Sequence, residues 1–409
     1  MLNLSCRAAS GFLRSRGLAT SSQVILGIET SCDDTAISLV SSDLKILENR
    51  RIANRDAQQR LGGICPSVSA EQHRSTIDDL VSECLQRQRL RAADLRAVAV
   101  SDRPGLVICL KVGLSKALAL ARDARLDVVP VHHMRAHAMT PFLTDSHDRL
   151  QFPYVCALIS GGHSLICLAK DPDHFEIYGE SVAGSPGEAF DKIGRELRLH
   201  ESREFTGIHP GAAIEILARR ATGVSAYPVK SFPYTVGADF DFHSLRNQYL
   251  TTLWRHGGEI DLPSFCASVQ FSVTAHICAK LHAALEFIMK KHQPKHLVVS
   301  GGVASNQYIL KSIRKISEVY GLSTIVPAPE LCTDNAAMVA SAAWKMIEYK
   351  SPSVIPYASL PDSLYAHARY PIGTDKRQEL PSRPSRRLSL KSLHGDCPVI
   401  FYNNDSKEV

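Results

Sequence analysis

The chain has 409 residues, 44% hydrophobic and 22% charged, with a net charge of +6. That length is too great for one small core and predicts two domains or one duplicated fold, while the lack of any long apolar run excludes a protein that spans a bilayer. The positive excess is mild, so it permits a polyanionic partner without requiring one.

The first 22 residues carry Arg7, Arg14, Arg16 and five serines, and no acidic residue stands before Glu29. An Arg-rich, Ser-rich, acid-free leader of this kind predicts a mitochondrial transit peptide over 1–22, because a secretory signal needs a longer apolar centre. The 11 cysteines are scattered and never spaced Cys-x-x-Cys. Free thiols in a reducing compartment are expected, and neither a disulfide framework nor a zinc ribbon.

Folded structure is predicted to begin at Val24–Glu29, a short apolar run that leads through the polar turn Thr30–Thr35 into a second run, Ala36 to Val40. Strand, turn, strand places Asp33 and Asp34 at one tip, where they either organise a ligand or serve as ordinary turn residues. A helix carrying Ile77, Leu80, Val81, Cys84 and Leu85 follows, then a strand over Leu95–Ser101, a turn at Arg103-Pro104-Gly105, a helix with Leu110, Leu114 and Leu118, and a strand over Asp127–Val131. This order is that of an α/β lobe, in which ligands gather at strand ends.

The last strand delivers the chain to His132-His133-Met134-Arg135-Ala136-His137. On one helical turn His133 and His137 share a face and have the spacing to close on one divalent metal. A metalloprotease helix needs Glu after its first His, and here that position holds Met134. From spacing alone the pair is a metal site lacking the protease's base, or two ordinary histidines.

A second lobe is predicted from about 151 to 350, after a first one over 23–150. Tyr154–Ile159, the turn Ser160-Gly161-Gly162-His163-Ser164 and Leu165–Ala169 repeat the strand, turn, strand plan of 24–40, as a duplicated fold would. The turn glycines let an anionic ligand approach backbone N–H groups, or simply close a hairpin. Asp191 falls beside the apolar face of a helix, as a ribose acceptor or a first-turn charge. Leu199 to Ile208 looks like a surface loop. Gly211 and Glu215 lie at and within a further helix, and Asp239–Leu245 combines aromatics with acids in no interpretable pattern.

Apolar spacing predicts a long helix from about Leu262 to Lys291. After it, His296–Asn306 reads as a strand passing through Gly301-Gly302 into a helix, which aims N–H groups at whatever lies above the strand. A Walker loop is excluded, since no Gly-Lys-Ser/Thr follows. Asp334, beside a small-residue helix, is expected as its N-cap or as the hard ligand that two histidines lack. From 351 to 409 prolines, serines and basic residues such as Arg383, Arg386 and Arg387 predict an extended tail with electrostatic affinity for nucleic acid.

Six stretches in consistent order, LGIETSCDDTA (26–36), HHMRAH (132–137), LISGGHS (158–164), GEAFDK (187–192), VVSGGVASN (298–306) and PELCTDNAAM (329–338), resemble the tRNA N6-adenosine threonylcarbamoyltransferases, specifically their organellar branch. The resemblance implies an actin-like ATPase fold of two related α/β lobes around a central cleft. It also implies transfer of a threonylcarbamoyl group from threonylcarbamoyl-AMP, supplied by a separate synthase, to N6 of the adenosine beside the anticodon in mitochondrial tRNAs reading codons that begin with A.

Carried over by residue, the resemblance makes His133, His137 and Asp334 the ligands of one divalent cation, Zn, Fe or Mn. It lays the adenylate against Leu158, Ile159, Ser160, Gly161 and Gly162, puts Asp191, Gly211 and Glu215 near ribose and base, and has Ser305 and Asn306 close the site. A homodimer is the expected assembly, without a membrane partner. Asp34 is the candidate base for the amine proton. Two other readings, a metal-dependent glycoprotein endopeptidase and a non-catalytic nucleotide-binding scaffold, stand as alternatives.

Overall fold

A computed structural model describes residues 23–53, 64–144, 150–160, 164–223, 226–257 and 259–403. The leader over 1–22, and Gly161, Gly162 and His163, lie outside the described residues.

Strand β1 (Val24–Glu29) is buried along its whole length, as its β-branched composition requires of a central strand. It pairs antiparallel with β2 (Thr35–Ser41) and parallel with β4 (Ala97–Arg103). With β3 (Ile46–Ile52) and β5 (Asp127–His132) these make a five-stranded sheet of order β3-β2-β1-β4-β5. Helices α1 (Pro66–Arg87) and α2 (Val107–Ala124) cover its outer face, where Leu26, Ile28, Leu80, Val81, Leu110 and Leu114 share a core.

The second sheet repeats that plan. β6 (Tyr154–Ile159) pairs antiparallel with β7 (Ser164–Ala169), which pairs antiparallel with β8 (Phe175–Ala183), while β10 (His296–Ser300) and β11 (Ser323–Ile325) add parallel strands on the other side of β6. The sheet runs β11-β10-β6-β7-β8, the same order as the first when these five strands are counted in sequence, and the two-residue β9 (Phe240–Asp241) pairs beside β8. Its outer face carries α4 (Pro186–Glu196), α5 (Pro210–Ala218), α6 (Phe242–Arg255) and α7 (Leu262–Lys291). Helix α7 has the predicted bounds; Asp261 Oδ2 caps it by accepting from Ser264 N at 3.1 Å, and Lys290 and Lys291 close its negative end.

Between the sheets lies a thin layer of two helices, α3 (His133–Met139) and α9 (Ala336–Glu348). Their residues Met134, Ala136, Ala337, Ala340 and Ala343 share one core with Ile25 and Val129 of the first sheet and Tyr154 and Leu158 of the second. Small side chains are needed because α9 lies directly on β1. A Cβ at Gly27 would stand 2.4 Å from the Ala336 carbonyl oxygen, so Gly27 lets the start of α9 sit down on the strand. The chain therefore returns to the first sheet after building the second.

Three expectations need correction. Leu199–Ile208 does run over the surface, but it is not irregular: it makes two short 3-10 turns that anchor it by burying Leu199 and Phe205 in the second core. Phe240 and Phe242 explain the acid-aromatic run, stacking in the core while Asp241 Oδ1 caps α6 through Ser244 N at 2.9 Å. The segment after 351 is no loose tail through 403. Ile355 bridges to Val128 of β5, Thr374–Asp375 (β12) adds a strand to β8, and Arg386–Leu388 (β13) pairs with Phe401–Asn403 (β14). Ile372, Leu380, Leu388 and Leu393 are buried along this strap. Apolar residues spaced among prolines anchor an extended chain without showing any period.

Candidate active site

β5 ends at His132 and α3 starts at once, so His133 and His137 stand one turn apart, their ring centroids 4.7 Å apart. Both Nε2 atoms face the same carboxylate oxygen: Asp334 Oδ1 lies 3.1 Å from His137 Nε2 and 3.6 Å from His133 Nε2. One ligand atom from each of the three residues falls within 4.8 Å of the others. Asp334 is not the N-cap of α9. That role belongs to Asn335, whose Oδ1 accepts from Met338 N at 3.0 Å, which leaves the Asp334 carboxylate turned to the histidines.

Behind His133 stands Glu29, the last residue of β1 and 1% exposed. Its Oε2 lies 3.0 Å from His133 Nδ1 and accepts from Ser101 Oγ, while its Oε1 accepts from Ser31 N at 2.6 Å. Burial disfavours a charged imidazole, but Glu29 and Asp334 outweigh it and push His133 up to about 9. Burial likewise would raise Asp334, yet His133, then His137 and Arg51, hold it well below the usual carboxylate range. The same charges that favour a proton between these side chains favour a metal cation there. Two imidazoles and a carboxylate also suit a borderline divalent ion, so the residues fit the group.

His132 is excluded from ligation by its own bonds. Its Nδ1 accepts from Met134 N at 3.2 Å, its Nε2 lies 3.2 Å from the Tyr370 carbonyl, and burial, with Arg135 beside it, pushes its pKa down to about 3. Arg135 points away from the three ligands, donating to the Ile372 carbonyl at 2.8 Å and lying over the Phe175 ring. Asp34 is linked to the Asp334 segment through one side chain: Arg51 Nη1 lies 3.3 Å from Asp34 Oδ2 and donates to Thr333 Oγ1 at 3.0 Å, one residue from Asp334.

On the second sheet Leu158 and Ile159 are the buried last residues of β6, and Ser160 follows, half-buried. Gly301, at φ +102°, lets the turn after β10 touch this strand end, since a Cβ there would stand 2.5 Å from the Ile159 oxygen. Cys332, two residues from Asp334, is buried and its Sγ donates to the Pro327 carbonyl at 3.6 Å.

Around that turn, Glu215 Oε1 accepts from Gln307 N at 3.0 Å and from Arg219 at 2.6 Å, and exposed Ser305 donates to the Gly302 carbonyl at 2.7 Å. Asn306 is buried as the cap of α8 (Gln307–Val319), its Oδ1 accepting from Ile309 N and Gln270 Nε2, both at 3.1 Å. Asp191 pairs with Arg195 at 2.9 Å, and the Gly211 amide donates to His209 Nδ1 at 3.1 Å. Helix α4, which carries Asp191, touches the 302–305 turn.

Sequence reasoning gave no role to Glu29, Ser31, Ser101, Arg51 or Thr333. The one available signal was an acid ending an otherwise apolar run, VILGIE; a hydrogen bond across 104 residues has no periodic trace.

The family model for TsaD, tRNA N6-adenosine threonylcarbamoyltransferase, matches residues 45–341. A probable mitochondrial tRNA N6-adenosine threonylcarbamoyltransferase of Caenorhabditis elegans is 44% identical over 93% of this chain and 91% of its own length. The mitochondrial tRNA N6-adenosine threonylcarbamoyltransferase of Homo sapiens is 32% identical over 80% of each chain. Among solved structures, HypF of T. kodakarensis superposes with a TM-score of 0.52 at 14% identity, covering 83% of this chain and 49% of that one. At that identity the likeness speaks to fold alone, which is the actin-like ATPase fold.

Proposed function

The chain belongs to the tRNA N6-adenosine threonylcarbamoyltransferase family, and from that premise we propose that it transfers the threonylcarbamoyl group of threonylcarbamoyl-AMP to N6 of the adenosine beside the anticodon in mitochondrial tRNAs reading codons that begin with A. It is an acyltransferase of the mitochondrion acting in tRNA modification. The observation that supports the finer reading best is the convergence of His133 Nε2, His137 Nε2 and Asp334 Oδ1 at the edge of the glycine-lined cleft.

In this reading His133, His137 and Asp334 hold one divalent cation, Zn, Fe or Mn, which when bound supplies Lewis-acid stabilisation of donor oxygens. Ser160, Gly161 and Gly162, next to Leu158 and Ile159 in the chain, receive the adenylate, since glycines let an anionic ligand come close to backbone N–H groups. Asp191, Gly211, Glu215 and Ser305 line the ribose and base side, and Asn306 keeps that side rigid through its cap. The N6 lone pair attacks the carbamoyl carbon, the bond from that carbon to the phosphate oxygen breaks, and AMP leaves with the electron pair. Asp34 takes the N6 proton, and Arg51 fixes its carboxylate at the mouth. A separate synthase makes the donor, and two copies of the chain form the working unit. Residues 1–22 are the removable leader, 23–150 and 151–350 the two lobes in sequence, and 351–409 an extension.

The test combines purified protein with synthase, ATP, threonine, bicarbonate and mitochondrial tRNA, and measures modified adenosine by mass spectrometry of nucleosides. Product is expected with the unaltered protein and lost with His133→Ala and with Asp334→Ala. Full yield from both variants would remove the site assignment.

A further inference from the structure

We propose that Glu29 is a positioning residue for His133, holding the imidazole with Nε2 turned toward His137 and Asp334. This rests on the reading that those three residues hold a metal ion. Glu29 ends the central strand, 1% exposed, and an ionised carboxylate placed there costs several kcal/mol unless it is fully paired. A purely local role explains only half of its bonds. Oε1 accepts from Ser31 N at 2.6 Å and so shapes the turn after β1. Oε2 does something else, reaching His133 Nδ1 at 3.0 Å across the sheet while Ser101 Oγ donates to the same oxygen.

That bond selects the tautomer. With Nδ1–H given to Glu29, the neutral ring keeps its lone pair on Nε2, the atom 3.6 Å from Asp334 Oδ1. Ser31 Oγ, 3.2 Å from the same Nδ1, limits rotation of the ring about this contact. His137 shows what the alternative looks like: its Nδ1 is buried with no hydrogen-bond partner among the described residues. One histidine of the pair is oriented by a carboxylate and the other is oriented by packing alone. Glu29 therefore acts through His133 and not through the pair as a whole.

The experiment titrates metal-stripped full-length protein with cobalt(II), reading the visible ligand-field bands and the affinity by chelator competition. Glu29→Gln keeps the shape and the Ser31 contact but offers His133 no anionic acceptor, and its affinity is expected to fall about 10- to 100-fold with an unchanged circular dichroism spectrum. Added to His133→Ala, the same change should cost nothing more; added to His137→Ala, it should cost its full factor. Wild-type affinity in Glu29→Gln, or an undiminished loss in the His133→Ala background, overturns the proposal. Should Glu29→Gln not fold, Ser101→Ala removes only a hydroxyl that fixes Oε2 and is expected to weaken cobalt binding about threefold, the lower end of one hydrogen bond; unchanged affinity there overturns it equally. Wild-type protein that takes up no cobalt at all defeats the metal reading as well as this one, whereas cobalt bound alike by wild type and Glu29→Gln defeats this one alone.

Discussion

The two lobes have the same strand order, yet the tips of their first strands do opposite things. In the first lobe β1 ends in Glu29, whose carboxylate is tied to His133 and to the turn; in the second, the equivalent β6 ends in Ile159 and Ser160, where Gly301 brings backbone against backbone. Topology fixes where the strand ends meet, since both sets of parallel strands point into one cleft. Residue type then decides what each tip offers: charge and imidazole nitrogen on one side, amide N–H groups and hydroxyls on the other. One fold used twice puts a charged strand tip in one lobe and an uncharged one in the other.

The comparison is broken most severely by removing a ligand. Asp334→Ala is expected to lower kcat/KM by more than about 100-fold, beyond the usual effect of an outer-shell change, while Ser160→Ala on the opposite tip costs less than about tenfold, one hydrogen bond. Steady-state kinetics with donor and tRNA check both, and equal losses would mean the tips are not specialised.

Next come the two close approaches. Gly27→Val drives a side chain into the Ala336 carbonyl and Gly301→Val into that of Ile159, each costing about 1–3 kcal/mol of stability by overpacking, to which Gly301→Val adds the strain of a β-branched residue at φ +102°. Metal analysis and donor titration separate them: the first variant should lose metal with its α9 displaced, and the second should keep metal and show a raised donor KM.

A pH experiment sharpens the contrast through a buried histidine of the second lobe. His276 accepts from Asp241 N at 3.0 Å, and burial, with Lys280 nearby, pushes it down to about 3, the opposite direction to His133. Its folded-state value lies below the unfolded one, so the neutral ring's contribution is present above about pH 6.5 and is lost as pH falls toward 3. Urea unfolding from pH 7 to 4 should show a slope to which His276 adds at most about 1.4 kcal/mol per pH unit, and His276→Gln should flatten it.

The smallest effects belong to the caps. Asn335→Ala and Asn306→Ala should each cost about 1 kcal/mol, read as a lowered Tm. The Asn335 change should be the larger, because it also removes the Nδ2 bonds to the Leu331 and Thr333 carbonyls at 3.1 and 2.8 Å, whereas Asn306→Ala beyond its cap leaves only Gln270 Nε2 without its partner.

How far the sequence carries depends on the range of the interaction. β1, β2, β6, β7 and α7 are legible because their apolar residues repeat at a period of two or lie in continuous runs, and the His133/His137 pair is legible because a helix turn is a local distance. Residue type left Asp334 as either N-cap or hard ligand, and the resemblance chose the ligand; the cap is the job of Asn335 one position on, and a one-residue shift at a helix start is beyond what propensity resolves. Glu29 and Arg51 were missed because their partners, His133 and Thr333, lie 104 and 282 residues away. The strap was misread because its buried residues are spaced irregularly among prolines, and composition alone resembles disorder.

That strap reaches the start of helix α3 directly. The Tyr370 carbonyl meets His132, the Ile372 carbonyl accepts from Arg135, and the His367 amide donates to the Asp102 carbonyl. In genetic terms, a stop codon late in this gene is not a mild one. A product ending at residue 350 would retain every candidate ligand and every motif of the family, yet the helix bearing His133 and His137 would have lost its backing, and poor metal loading would report the loss.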